Sequence, residues 1–143
     1  MKSPKKAPSI SIGKRYFTVD EAIFHRRVHV MLNYSDADYF AWERKMGAKS
    51  GVPQNLDEFV AFSCSMEARG KPTEWIVLLK HFDWTIADQG SLIHEIVHTV
   101  VKIWASNNIP VTPDNQEFLA HSIGRLYEDI AGKVWRKKRR RQT

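Results

Sequence analysis

The chain has 143 residues, of which 43% are hydrophobic and 27% charged, and a formal net charge of +6. That length and balance suit one globular domain with a single core and exclude an intrinsically disordered chain. The single cysteine, Cys64, excludes an intrachain disulfide and any cysteine-based zinc site, so a metal centre has to be built from histidines and carboxylates.

No apolar run reaches membrane-spanning length, and the basic start, Met1 to Pro8, leads into no apolar h-region. A cytoplasmic location with no membrane contact is therefore expected. The positive charge sits at the two ends. Arg136-Lys137-Lys138-Arg139-Arg140-Arg141 carries six cations in a row, and Met1 to Arg15 adds five, which leaves 11 basic against 16 acidic residues in between. The chain thus divides into a disordered basic N-terminal segment, 1–14, a folded domain, 15–135, and a basic C-terminal tail, 136–143. A run of like charge of this kind is a solvated end or a contact for nucleic-acid phosphates.

In chain order, Tyr16–Val19 reads as a short strand and Phe24–Leu32, β-branched and without a helical stripe, as a longer one. Ser35 is an N-cap with Asp38 three residues on. The helix it starts carries Ala37, Tyr39, Phe40, Ala41, Trp42 and Met46 and stops at Gly47. Residues 50–55 are a loop by composition. In Phe59–Met66, Val60, Phe62, Cys64 and Met66 alternate with Ala61, Ser63 and Ser65, the pattern of a half-buried strand. Arg69–Pro72 is a turn, and the continuous apolar run Trp75–Leu79 is a more central strand. Trp42, Trp75, Trp84 and Trp104 are core candidates, and His25 and His29 share one strand face as sheet residues, not ligands.

The segment Ser91–Trp104 is a helix, capped by Asp88 or Ser91 and ending by Ser106–Pro110. Apolar residues fall on nearly every face, which predicts burial. Inside it stands His94-Glu95-Ile96-Val97-His98, an H-E-x-x-H pattern. Residues four apart lie one above the other on a helix, so the two imidazoles can aim at one point and supply half of a tetrahedral Zn²⁺ site. Glu95, beside that point without ligating, is placed to take a proton from water acidified by the metal. A further helix follows, with Thr112 as N-cap, Pro113 as its first residue and the stripe Leu119, Ile123, Leu126, Ile130 facing the core. It runs on to Trp135.

Glu117, near the start of that helix and one short connection away from His98, is the candidate third ligand, leaving the fourth position open for water or substrate. His121 lies on the same face. It is a partner that orients a ligand, a donor to the oxyanion of the substrate, or itself the third ligand. Tyr127 and His81 are weaker oxyanion candidates.

These two motifs together look like the gluzincin branch of zinc metallopeptidases. More closely, Glu117-Phe118-Leu119-Ala120-His121-Ser122-Ile123-Gly124-Arg125-Leu126 resembles small phage-encoded metallopeptidases, over about residues 75–131. The resemblance implies a minimal zincin-like α+β domain, with a small mixed or antiparallel sheet packed against the motif helix and a second, Glu-bearing helix. It further implies that His94, His98 and Glu117 bind zinc, that Glu95 is the general base and that Gly124 is a close helix-packing position. The function expected is zinc-dependent hydrolysis of peptide bonds in a peptide or protein substrate, which an exposed sheet edge could hold by strand addition. The alternative is a nucleic-acid-associated or host-factor-binding phage-type protein with a structural or vestigial metal site. His₂-carboxylate sets also accept other divalent ions, iron among them.

Overall fold

Two apolar runs, Val28–Leu32 and Trp75–Leu79, are buried throughout their length. Strands buried on both faces belong at the centre of a sheet that is covered on both sides. The computed structural model, which describes residues 12–47, 49–50 and 59–142 (of 137–142 the backbone alone), places them there. The elements are β1 (Arg15–Asp20), β2 (Arg27–Leu32), α1 (Asp36–Met46), β3 (Lys49–Ser50), β4 (Ala61–Glu67), β5 (Glu74–Leu79), α2 (Ile86–Ser106) and α3 (Gln116–Gln142). The sheet runs β1-β2-β5-β4-β3, with β2 and β5 parallel, Val28 against Trp75, and the other neighbours antiparallel. The described residues form an α+β domain with a mixed five-stranded sheet and three helices.

Alternation along the strands sorts the core into two layers. Val28, Val30, Leu32, Trp75, Val77 and Leu79 point to the side covered by α2 and α3, against Leu92, Ile96, Val100, Ile103, Leu126 and Ile130. Met31, Ile76 and Leu78, with Phe62, Cys64 and Met66 of β4, point to the other side, where α1 lays down Tyr39 and Trp42. The α1 cap follows the sequence reading. Ser35 accepts from Asp38 N–H, the Asp38 carboxylate accepts from Ser35 N–H, and Gly47 closes the helix at φ 63°.

Several boundaries differ from those expected, each for a local reason. The strand expected over 24–32 begins at Arg27, because Glu21–Arg26 is a turn. The buried Glu21 carboxylate accepts from the backbone N–H of Ile23 and Phe24, and His25 takes a positive φ of 54°. His25 is therefore no strand residue, whereas His29 is one. Val60 is 74% exposed and lies just before β4. The loop expected over 50–55 lies outside the described residues except for Ser50, which pairs with Met66.

Thr85, not Asp88 or Ser91, caps α2; Asp88 is its reciprocal partner three residues on. Residues 113–115 form a turn, closed by the Asn115 side chain accepting from Thr112 N–H, so that α3 starts at Gln116 and not at Pro113. Its helical backbone continues to Gln142, through the run expected as a tail. At the other end, Ile12 is buried in the core and Lys14 pairs with Asp38 at 2.7 Å, so the domain reaches back into the segment expected to lack structure; residues 1–11 lie outside the described ones. No described helix is long and apolar enough to cross a membrane.

Asn33, at φ 60°, ties three stretches of chain together. Its amide donates to Gly13 O (2.8 Å) and Phe82 O (3.0 Å), and its carbonyl oxygen accepts from Phe82 N–H (2.7 Å). At about 1 kcal/mol per bond, Asn33→Ala should lower stability by about 3 kcal/mol in chemical denaturation, with Asn33→Asp, which keeps the acceptor, falling between. Burial pushes the Cys64 thiol up to about 12 from 9.0. The folded protein should therefore alkylate at pH 8 at least about a hundredfold more slowly than the unfolded chain. Because the folded value is the raised one, the stability this contributes is complete below pH 9 and is lost as pH rises towards 12.

Candidate metal centre

Helix α2 carries 21 residues, and its buried positions, Leu92, Glu95, Ile96, Thr99, Val100, Ile103 and Trp104, form one continuous stripe. The opposite face is open. Ile93 is 44% exposed, Val97 and Val101 are each 37% exposed, and His94 and His98 are exposed beside them. The expectation of a helix buried on every side is corrected here: among the described residues α2 packs on the sheet and on α3, and the side that carries Ile93, His94, Val97, His98 and Val101 is exposed. The correction matters to the chemistry, because a metal at the histidines would be reached from solvent.

The two imidazoles meet as the four-residue spacing requires. Their Nε2 atoms lie 3.0 Å apart, with ring centroids at 4.6 Å and planes inclined by 76°. Two nitrogens sharing a tetrahedral Zn²⁺ sit about 3.3 Å apart, given Zn–N bonds of ~2.05 Å. The observed 3.0 Å falls about 0.3 Å short of that separation. The observed distance also serves a hydrogen bond in which one ring carries the Nε2 proton and the other accepts it.

Glu95 is 7% exposed, on the buried stripe of α2. Two turns further along the same side of the helix, Lys102 donates to Ser63 O of β4 at 3.1 Å, so this side of α2 overlies β4. The β4 residues that face α2 are small, Ala61, Ser63 and Ser65, while its large ones, Phe62, Cys64 and Met66, face α1. Glu95 is therefore held between the imidazole pair and a shallow region of the sheet. Thr99 Oγ1 donates to Glu95 O at 2.8 Å and fills the buried position one turn on.

Glu117 and His121 are both exposed, on the first two turns of α3. Their height along the helix pair can be judged from Tyr127, which donates to Gln89 Oε1 at 3.3 Å and links α3 to α2 near the other end. Ten residues back from Tyr127 and ten forward from Gln89 bring Glu117 roughly level with Thr99, next to His98. The axial match is good, but the carboxylate is not gathered in. Among the described residues no three His, Cys, Asp or Glu side chains form a group that could hold a metal ion. The structure brings His94 and His98 together and does not bring Glu117 or His121 to them. Tyr127, half-buried, is committed to Gln89, and His81 is exposed at the far end of β5. The Gly124 expectation is corrected. That residue is exposed, and a Cβ there would meet nothing within 4 Å, so it is no close-packing position.

His29, read as a structural residue, is buried on the α1 side, with Nδ1 2.8 Å from Tyr16 Oη and Nε2 3.1 Å from Glu74 Oε2. Ser122, inside the motif string, donates to the buried Glu21 carboxylate at 2.6 Å and so anchors α3 to the β1–β2 turn. Neither Lys102 nor the small-residue face of β4 belongs to a motif; helical spacing puts Lys102 on the side of Glu95, and the packing of α2 on the sheet puts β4 beneath that side. No protein-family model matches the chain, and neither the curated proteins nor the solved structures contain a significant match to it.

Proposed function

We propose that the protein is a zinc-dependent peptide-bond hydrolase of gluzincin type, with a minimal zincin-like fold. The observation that carries this reading is the 3.0 Å approach of the His94 and His98 Nε2 atoms on the open face of α2, beside Glu95, a residue only 7% exposed. Glutamates are seldom buried to this extent unless their carboxylates find a partner. His94 and His98 fit as two ligands. Glu117, level with them on the neighbouring helix and free to change rotamer in solvent, is proposed as the third.

A bound zinc ion would supply Lewis acidity to a substrate carbonyl and acidify water next to it. The rest is work for the chain. Glu95, screened from bulk solvent by α2 and β4, takes a proton from the attacking water and returns it to the leaving amine. His121, one turn beyond Glu117, donates a hydrogen bond to the developing oxyanion. A peptide in extended form lies along the stretch of β4 that β3 does not pair, Ala61–Ser65. The expected substrate is a peptide or protein, and the expected setting is cytoplasmic.

Elemental emission of the purified protein should show about one zinc per chain, with His94→Ala and His98→Ala each losing it. Glu117→Ala should weaken zinc binding by at least about tenfold. Unchanged affinity would remove Glu117 from the ligand set. Glu95→Gln should keep the metal and lower peptide hydrolysis by at least about a hundredfold. Hydrolysis at the wild-type rate would remove Glu95 from the chemistry.

A further inference from the structure

The cations that α3 carries at its far end are not alone there. Arg136, exposed, lines one groove together with Lys133 and Arg27, against the edge strand β1. Arg27, its side chain 58% exposed, also lines the adjoining groove, together with Arg26 and Lys71. Asp20 and Arg27 are common to both grooves, so the two are continuous. Five cations thus face three carboxylates, Asp20, Glu74 and Asp129. Glu74 is shared with Arg27 at 3.6 Å, and Asp129 is paired with Arg125 at 3.4 Å. Beyond Arg136 the backbone stays helical to Gln142, and the sequence supplies Lys137, Lys138, Arg139, Arg140 and Arg141 on consecutive positions.

Five consecutive cations on a helix cover its whole circumference, since each residue advances by 100°. No apolar face is left, so the run is unsuited to lying in a membrane interface, which needs one. A helix charged all round suits a groove with negative walls on either side. The major groove of DNA is about 12 Å wide and admits a helix of about 10 Å. We propose that the C-terminal turns of α3 enter the major groove of duplex DNA, while Arg27, at the start of β2, and Lys71, in the turn between β4 and β5, contact the phosphates alongside. The partner surface then has two components, a projecting basic helix and a fixed basic shoulder. The candidate metal centre is at the other end of α3, since Glu117 and Arg136 are separated by ~28 Å of helix. The proposal does not depend on the hydrolase reading.

The test is fluorescence anisotropy of the full-length protein with a labelled 20-base-pair duplex between 50 and 200 mM salt. Circular dichroism melts confirm that each variant folds. Replacing Lys137, Lys138, Arg139, Arg140 and Arg141 together by Gln should weaken binding at least about a hundredfold. Arg27→Gln with Lys71→Gln should lower the slope of log affinity against log salt by about two units. Lys45→Gln with Lys49→Gln, which remove the same charge from exposed positions on and after α1, should leave that slope unchanged. The basic shoulder is overturned if the Arg27/Lys71 variant keeps the wild-type slope, or if the Lys45/Lys49 variant lowers it equally. Duplex binding is overturned if a single strand of the same length, heparin or an acidic peptide binds as tightly. A five-fold Gln variant that binds like wild type overturns the role of the helix.

Discussion

The parallel pairing of β2 with β5 is the constraint from which the architecture follows. Parallel neighbours cannot be joined by a hairpin; the chain has to leave the sheet and return. Here the excursion contains α1, β3 and β4, and it closes with Val28 beside Trp75. Both strands are buried on both faces, apolar but for His29, so each side of the sheet needs a cover. One side receives α1, with Tyr39 and Trp42 over Met31, Ile76 and Leu78. The chain emerging from β5 can then only build the second cover, and α2 and α3 do so, with Leu92, Ile96, Val100 and Ile103 over Val77 and Leu79.

Building the second cover from only two helices makes the candidate centre accessible. A helix with layers on both sides would bury its histidines, which would then need hydrogen-bond partners. In α2 the sheet takes one side, α3 takes the flank, and the remaining face carries His94 and His98 into solvent. Glu95, 100° round from His94, falls on the covered side. One helix thereby offers an exposed pair of imidazoles and a largely buried glutamate within two turns, because the pattern H-E-x-x-H straddles the boundary between its two environments.

Much of this was legible in the sequence wherever short-range chemistry decides. The α1 capping box at Ser35 and Asp38, the stop at Gly47, the alternation of Phe62, Cys64 and Met66, the central run Trp75–Leu79 and the stripe on α3 all depend on neighbours within a few residues. The imidazole pair was legible for the same reason. What the sequence did not disclose depends on contacts between distant segments. The turn at Glu21 exists because a buried carboxylate is held by Ser122, 101 residues away. The open face of α2 was hidden by its composition, since Ile93, Val97 and Val101 look like core positions and become surface only when one knows how many layers there are. The short α2–α3 connection makes Glu117 a neighbour of α2 in the chain, but the direction in which an exposed side chain points is not written in spacing.

Asn33 gives the arrangement its phase. Its side-chain amide grips both the N–H and the carbonyl of Phe82, four residues before the first residue of α2. Any slip of one residue between that grip and Ile86 would rotate the helix by 100°. The imidazoles would then swing from open water towards the sheet or towards α3, and Glu95 would leave the covered side of the helix. The orientation of the motif is thus indexed against the sheet by a single carboxamide just beyond the end of β2, so that a residue with no chemistry of its own decides which way the chemistry faces.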